Sequence, residues 1–269
     1  MKAITYSTCW YPFKAKFNTN VYEQWISNML TNVNNYYLVV YTNELGYNTI
    51  KQFIQPNIKV IIKDHTEFYT YQYKDYWIKN HEKNVLLKDK VDWKVNMLWS
   101  EKINFVKETF NKKYFNTEFY GWCDIGYFRN RGNDLHTSKL INWPNENTIM
   151  SLDKNKIHYA LINDNQQYVS YLYGLITKKN RKGLPIHEIP PNQYSIAGGF
   201  FTIHNSKIDW WHDTYYKRLL LYFENNYLVK DDQILLIDCA FTYPLNFQLY
   251  SERIQQFDNW FMFQRIFNK

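Results

Sequence analysis

Cysteine is scarce. Cys9, Cys123 and Cys239 stand far apart, odd in number and without CxxC spacing. That pattern argues against a disulfide framework or a zinc ribbon and points to a reducing compartment. Glycine is also sparse, 8 in 269 residues. No GxGxxG follows the first β-prone run, which leaves a nicotinamide dinucleotide site poorly supported, and no GxxxxGK[ST] occurs, which excludes a P-loop. No Ser-His-Asp order or nucleophile elbow stands out. No uninterrupted apolar run approaches a membrane span, and Met1 to Thr8 contain no apolar signal region. A soluble, cytoplasmic protein is the expectation.

Long basic runs are missing too. The net charge of +7 is scattered along the chain. It suits a phosphate-bearing partner, an anionic membrane surface or nucleic acid. A nucleic-acid-binding module would need a basic stripe with interleaved aromatics, and none is visible, so no nucleic-acid partner is expected. The one dense cluster, Lys178-Lys179-Asn180-Arg181-Lys182, reads as a solvated loop.

What the chain has in quantity is aromatic residues, 20% with 25 Tyr and 10 Trp. Their flat apolar faces and polar handles suit stacking on sugars or bases, although core filling or biased codon usage accounts for most of them. Hydrophobic residues at 45% and charged residues at 21% are ordinary for a folded globular protein.

Along the chain, Ala3 to Cys9 reads as a first strand. Val21, Trp25, Ile26, Met29, Leu30 and Val33 recur at helical spacing, with Asn18 or Thr19 as the cap. Tyr37 to Tyr41 is a nearly continuous apolar run, the mark of a parallel strand buried on both faces. Tyr47, Ile50, Phe53 and Ile54 are helical in spacing, Pro56-Asn57 breaks the pattern, and Ile58 to Ile62 is the next strand. This β-α-β-α-β order implies right-handed crossovers and a parallel sheet. Residues 64–92 resist assignment. A long helix follows from about Trp93 to Asn111, then a buried strand that stops at Asp124. Thr148 to Ser151 and Ile157 to Ile162 read as short β pieces. Tyr194 to His204 reads as a strand pair or bent strand with glycines at its middle. A helix from Ile208 to about Asn226 precedes a last helix, Ile234 to about Phe241, opened by Asp231-Asp232-Gln233. There is no internal repeat and no linker, so one domain is expected over 1–269.

Asp124 is the centre of the functional argument. Ligands of open α/β sheets bind beyond the carboxyl ends of the strands, and hard cations such as Mg²⁺ or Mn²⁺ take one or two carboxylates plus phosphate oxygens. Gly126 lets the backbone approach a ligand, although Asp-x-Gly also simply starts turns. Lys102, on the long helix, can reach Asp124 or a diphosphate, or else pair with Glu101 or Glu108. Gly198-Gly199 marks a bulge or a close ligand approach. In Asp231-Asp232, capping of the helix accounts for one residue, and two adjacent acids without a local cation make a site role attractive for the other. His136, His187, His204 and His212 are dispersed, and His204 is the favoured candidate to complete a metal site.

Several blocks, taken in order, resemble the HtrL/YibB family, a group of bacterial and viral proteins regarded as glycosyltransferases. They are Ile4 to Thr8 with Trp10-Tyr11-Pro12-Phe13-Lys14-Ala15-Lys16-Phe17, then Tyr22-x-x-Trp25, Val39 to Glu44, and Leu98 to Lys102. Trp122-Cys123-Asp124-Ile125-Gly126-Tyr127-Phe128-Arg129 is the most specific. Gly198-Gly199-Phe200-Phe201 and Asp231-Asp232-Gln233 complete the set. Residues 64–92 and 150–190 match nothing.

The resemblance implies a GT-A-like, Rossmann-related α/β fold with a mostly parallel, mixed central sheet. A nucleotide-binding half would span about 1–130 and an acceptor-side half about 131–269. It further implies sugar transfer from a nucleotide diphosphate sugar, a UDP-sugar first, to a glycan or other hydroxyl acceptor. Asp124 would stand where such enzymes carry an acidic metal-holding motif for Mn²⁺ or Mg²⁺, though the usual second Asp is replaced by Gly126. Ser7 and Thr8 would contact the nucleotide, Lys102 would face the acidic motif, Gly198 and Gly199 would approach the donor, and Asp231 or Asp232 would sit by the acceptor. A non-catalytic nucleotide-sugar-binding protein is the alternative. The tail Trp260 to Phe267 mixes apolar and basic residues as interfacial helices do, which raises peripheral membrane contact beside plain packing on the core.

Overall fold

The structure, a computed structural model, describes residues 2–254 and 256–269. The chain runs β1 (Ile4–Trp10), α1 (Thr19–Leu30), β2 (Tyr37–Thr42), α2 (Glu44–Ile50), β3 (Ile58–Ile62), α3 (Lys74–Lys83), α4 (Trp93–Asn111) and β4 (Phe119–Cys123). It continues with α5 (Glu146–Met150), β5 (Ile157–Ala160), α6 (Gln166–Thr177), β6 (Phe200–His204), α7 (Ile208–Glu224), α8 (Asp232–Thr242), β7 (Phe247–Tyr250) and α9 (Phe263–Ile266). The strands form one seven-stranded sheet in the order β3-β2-β1-β4-β6-β5-β7. It is an α/β fold with a mixed sheet flanked by helices.

Local chemistry explains most of the opening half. Asn18 caps α1 by accepting from the Val21 N–H, and Asn43 caps α2 by accepting from the Gly46 N–H. β1, β2, β3 and β4 pair in parallel, and the apolar runs of β1, β2 and β4 are buried on both faces, as parallel strands with helices on each side require, while the edge strand β3 buries only Ile58. One face packs against α4, α7 and α8 through residues such as Tyr41, Phe105, Trp122, Tyr215 and Leu235. The other packs against α1 and the C-terminal segment through Tyr6, Ile26, Trp143, Phe200 and Phe263.

The second half departs from the expectation in places. Thr148 to Ser151 is not β: Asn145 accepts from the Asn147 and Thr148 N–H groups and opens α5. Gly198-Gly199 lies just before β6, not in the middle of a strand. The unassigned stretch 64–92 contains α3, whose Trp77 and Asn80 are buried. The Lys178–Lys182 cluster is not wholly solvated, because Lys179 reaches the buried Asp238. The tail carries no solvent-facing apolar stripe: Phe261, Met262, Phe263 and Phe267 are buried in the core, and Gln264 donates to the Tyr127 carbonyl. Among the described residues no helix is long and apolar enough to cross a membrane.

Candidate functional site

The order β2-β1-β4 creates a switch point. From β1 the chain winds outward to β2 and β3, then returns to place β4 on the other side of β1. The loops after β1 and β4 therefore diverge, and a crevice opens at their carboxyl ends, where ligands of open α/β sheets bind. β6 runs against β4, pairing Cys123 with Phe200 and Phe119 with His204. The start of β6, not its end, thus lies at the crevice. Gly198 and Gly199 arrive there, and the Asp124 N–H donates to the Gly199 carbonyl at 2.8 Å.

Three charged side chains meet at that edge. Lys102, carried on α4, places Nζ 3.1 Å from Asp124 Oδ1 and 3.1 Å from Asp232 Oδ2. It also donates to the Gly198 carbonyl at 2.9 Å. An ammonium has three protons, so Lys102 is fully engaged. Neither Glu101 nor Glu108 is its partner: Glu101 accepts from the Tyr69 and Thr70 N–H groups, and Glu108 pairs with Lys63. The Trp122 indole N–H donates to Asp124 Oδ1 at 2.6 Å. Asp124 Oδ2 accepts no hydrogen bond among the described residues, and the side chain is 42% exposed.

Both glycines leave space for the acids, Gly198 more strictly than Gly199. A Cβ at Gly198 would sit 2.5 Å from Asp232 Oδ2, and one at Gly199 would sit 3.1 Å from Asp124 Oδ2. One glycine lets Asp232 reach Lys102, and the other leaves the free oxygen of Asp124 clear. A Cβ at Gly126 would meet the Trp25 ring at 2.7 Å.

Electrostatics follow from burial. Desolvation opposes the Lys102 charge, but Asp124 and Asp232 outweigh it and raise its pKa above the ordinary lysine value. Asp232 is pushed up to about 6: burial is the main cause, Lys102 opposes it, and the charges of Asp231 and Asp124 add to it. Asp231 occupies the N-cap position of α8 without capping it through its side chain. Instead it pairs with Lys230 at 2.5 Å, and its buried Oδ1 has no partner among the described residues.

Two adjoining compartments open onto this cluster. The smaller, about 120 Å³, is walled by Trp10, Tyr11, Tyr22, Trp25 and Trp99. The larger, about 430 Å³, is polar and takes in Lys16, Arg129, Gly198, Gly199, Asp231 and Asp232. Lys102 and Asp124 line both. Cys9 also borders the smaller one, but burial raises its thiol pKa and removes it as a nucleophile.

The structure thus brings together Lys102, Asp124, Gly198, Gly199, Asp231 and Asp232. Ser7 and Thr8 stay apart, because β1 continues to Trp10 and leaves them mid-strand. Ser7 Oγ bonds Thr109 Oγ1 at 2.8 Å, and Thr8 is fully buried. Cys9, Trp10 and Tyr11 hold the place at the strand end. His204 is also excluded: the antiparallel course of β6 puts it opposite Phe119, where its ring meets Ser206 and Glu118.

A divalent cation can be tested against this donor set. Mn²⁺ or Mg²⁺ accepts a single protein carboxylate when phosphate oxygens and water complete the shell. Asp124 Oδ2, kept clear by Gly199, fits that demand. Among the described residues no cluster of three or more His, Cys, Asp or Glu side chains is arranged to hold a metal ion.

Sequence reasoning missed the aromatic wall, Lys16 and Arg129. Arg129 stands at the end of the block Trp122 to Arg129, and Lys16 in the block after β1, so position beside those blocks was the available signal. Compared with known proteins, the chain matches no family model and no curated protein.

Proposed function

We propose that this chain is a glycosyltransferase that uses a nucleotide diphosphate sugar, of the GT-A-like, HtrL/YibB-like kind that its sequence blocks resemble. One observation carries the reading: two carboxylates, Asp124 after β4 and Asp232 at the start of α8, converge on Lys102 at the switch-point edge beside Gly198, Gly199 and an aromatic-walled cavity. Stacking surfaces suit a nucleobase, and the polar compartment suits a diphosphate and sugar.

The roles follow from position. Asp124 Oδ2 would hold Mn²⁺ or Mg²⁺, which when bound neutralises charge on the leaving diphosphate. Lys102 orients Asp124 and Asp232 rather than contacting phosphate, since its donors are engaged. Asp232, with its pKa raised to about 6, takes the acceptor proton near neutral pH, where a base is best tuned. Asp231, with an unpartnered buried oxygen, accepts a hydrogen bond from a sugar or acceptor hydroxyl.

A non-catalytic nucleotide-sugar-binding protein is the second reading, favoured by how fully Lys102 and Asp124 Oδ1 are engaged. Two measurements separate these readings. Nucleoside diphosphates with Mn²⁺ should raise the melting temperature by roughly 5 °C near saturation, and Asp124→Ala should abolish the rise. Turnover of a nucleotide-sugar panel should release the nucleoside diphosphate, with Asp124→Ala at least ~100-fold slower. Binding without turnover leaves the second reading, and no binding by the wild type removes both.

A further inference from the structure

Once the ion pairs of the cavity are assigned, two cations remain without an acid. Lys102 is shared by Asp124 and Asp232, Lys230 is taken by Asp231, and Arg131 by Asp134 and Asp258. Lys16 and Arg129 have no ion pair among the described residues, yet both line the polar compartment. Each is held over aromatic rings instead. Lys16 Nζ lies 4.9 Å from the Trp99 ring centre. The Arg129 guanidinium lies 4.3 Å from Trp25 and 5.0 Å from Phe261, and its Nε–H donates to the Gly126 carbonyl at 3.0 Å.

Such packing fixes the direction of a cation without neutralising it. Arg129 is half-buried, and among the described residues only its Nε proton is hydrogen-bonded. A guanidinium has five N–H donors in a planar fork suited to two phosphate oxygens. Lys16 adds a point charge from the exposed loop after β1. The two enter the cavity from the loops after β1 and β4, on either side of the switch point. Asp124, whose Oδ2 is free for a metal, lines the same compartment.

We propose that Lys16 and Arg129 are the anion clamp of this cavity and bind the diphosphate of a nucleoside diphosphate. The clamp rests on the donor-site reading and deepens it: it moves the phosphate contacts from Lys102 to two cations that have no acid partner among the described residues. Lys102 keeps its task of positioning the acids.

Calorimetric titration of UDP, GDP, ADP and CDP with Mn²⁺ present tests it, on the wild type and on Lys16→Gln, Arg129→Gln and Arg129→Lys. Each neutral variant should weaken the preferred nucleotide roughly tenfold, the loss of one charge-assisted contact. Arg129→Lys should recover part of the affinity, since it restores charge without the fork. Lys16 is exposed and makes no hydrogen bond or ion pair among the described residues, so Lys16→Gln reports on the clamp even if Arg129→Gln disturbs the Trp25 packing. Binding by the wild type with unchanged affinity in both neutral variants would overturn the clamp and leave the donor site standing. Failure of every nucleotide to bind the wild type would overturn both.

Discussion

Two aspartates of α8 face lysines from within the protein, and they differ in their balance of charge. Asp238 is fully buried and meets two cations: Lys179 at 2.5 Å and Arg218 at 3.7 Å. The Tyr222 and Thr242 hydroxyls donate to it at 2.7 and 2.9 Å. Asp232, near the other end of the helix, shares its single cation with Asp124 and has Asp231 beside it. The first cluster is saturated with donors and ties the Lys179 segment to α7 and α8. The second carries excess negative charge and opens onto a cavity. A satisfied buried acid fixes structure; an acid left short of cations is kept ready for a ligand.

Removing the saturated acid should be the costliest change. Asp238→Ala leaves Arg218 and Lys179 without a counter-charge, and urea denaturation should register a loss of about 3–5 kcal/mol. Nucleotide affinity of the folded variant should be unchanged; a variant as stable as the wild type would remove the contrast. Asp232→Asn tests the other side. A carboxyl whose folded pKa lies above its unfolded value of 3.8 stabilises most below that pH, and the contribution is lost as pH rises through about 6. The asparagine does not titrate, so its stability relative to the wild type should improve from pH 4 to pH 7, on the order of 2 kcal/mol, while transfer is lost. A flat difference across that range would mean that Asp232 is not short of cations. The smallest effect on stability is expected from Gly199→Ala. Its Cβ presses on Asp124 Oδ2 at 3.1 Å, so stability should change by less than ~1 kcal/mol while Mn²⁺-dependent nucleotide affinity falls several-fold. Unchanged affinity would show that this oxygen is not used.

The half of the fold built from local rules was legible in the sequence. Apolar runs, helical spacing and the Asn18 cap gave the alternation of strands and helices through β3, and α4 and the end of β4 at Asp124 followed from the same signals. β7, a short strand with one buried residue, offers few positions to read, and α6, buried only at Leu172 and Ile176, went unseen with Tyr171 and Tyr173 exposed among its apolar residues. Within the site, Lys102, Asp124, the glycines and the acids of α8 were legible because each stands at an element end or beside an apolar stripe. His204 was misplaced because alternation of residues does not encode strand direction. Lys16 and Arg129 were missed because their partners are aromatic faces brought close only by the folded sheet. Ser7 and Thr8 failed on a boundary: β1 extends to Trp10.

The pair Gly198-Gly199 bears on folding fidelity as well. Sliding β6 by one residue along β4 would swap its two buried faces and send Phe201 and Ile203 into the core that Phe200 fills, an error that close packing already rejects. Sliding by two would keep every side chain on its proper face, so burial offers little protection. Either two-residue slip sets a residue other than glycine, Ile196-Ala197 or Phe200-Phe201, against Asp124 and Asp232, and at the Gly198 position a Cβ would come within 2.5 Å of Asp232 Oδ2. The crowded acids thus act as a register key for the sheet, and a chain that folds in the wrong register also fails to assemble its binding cavity.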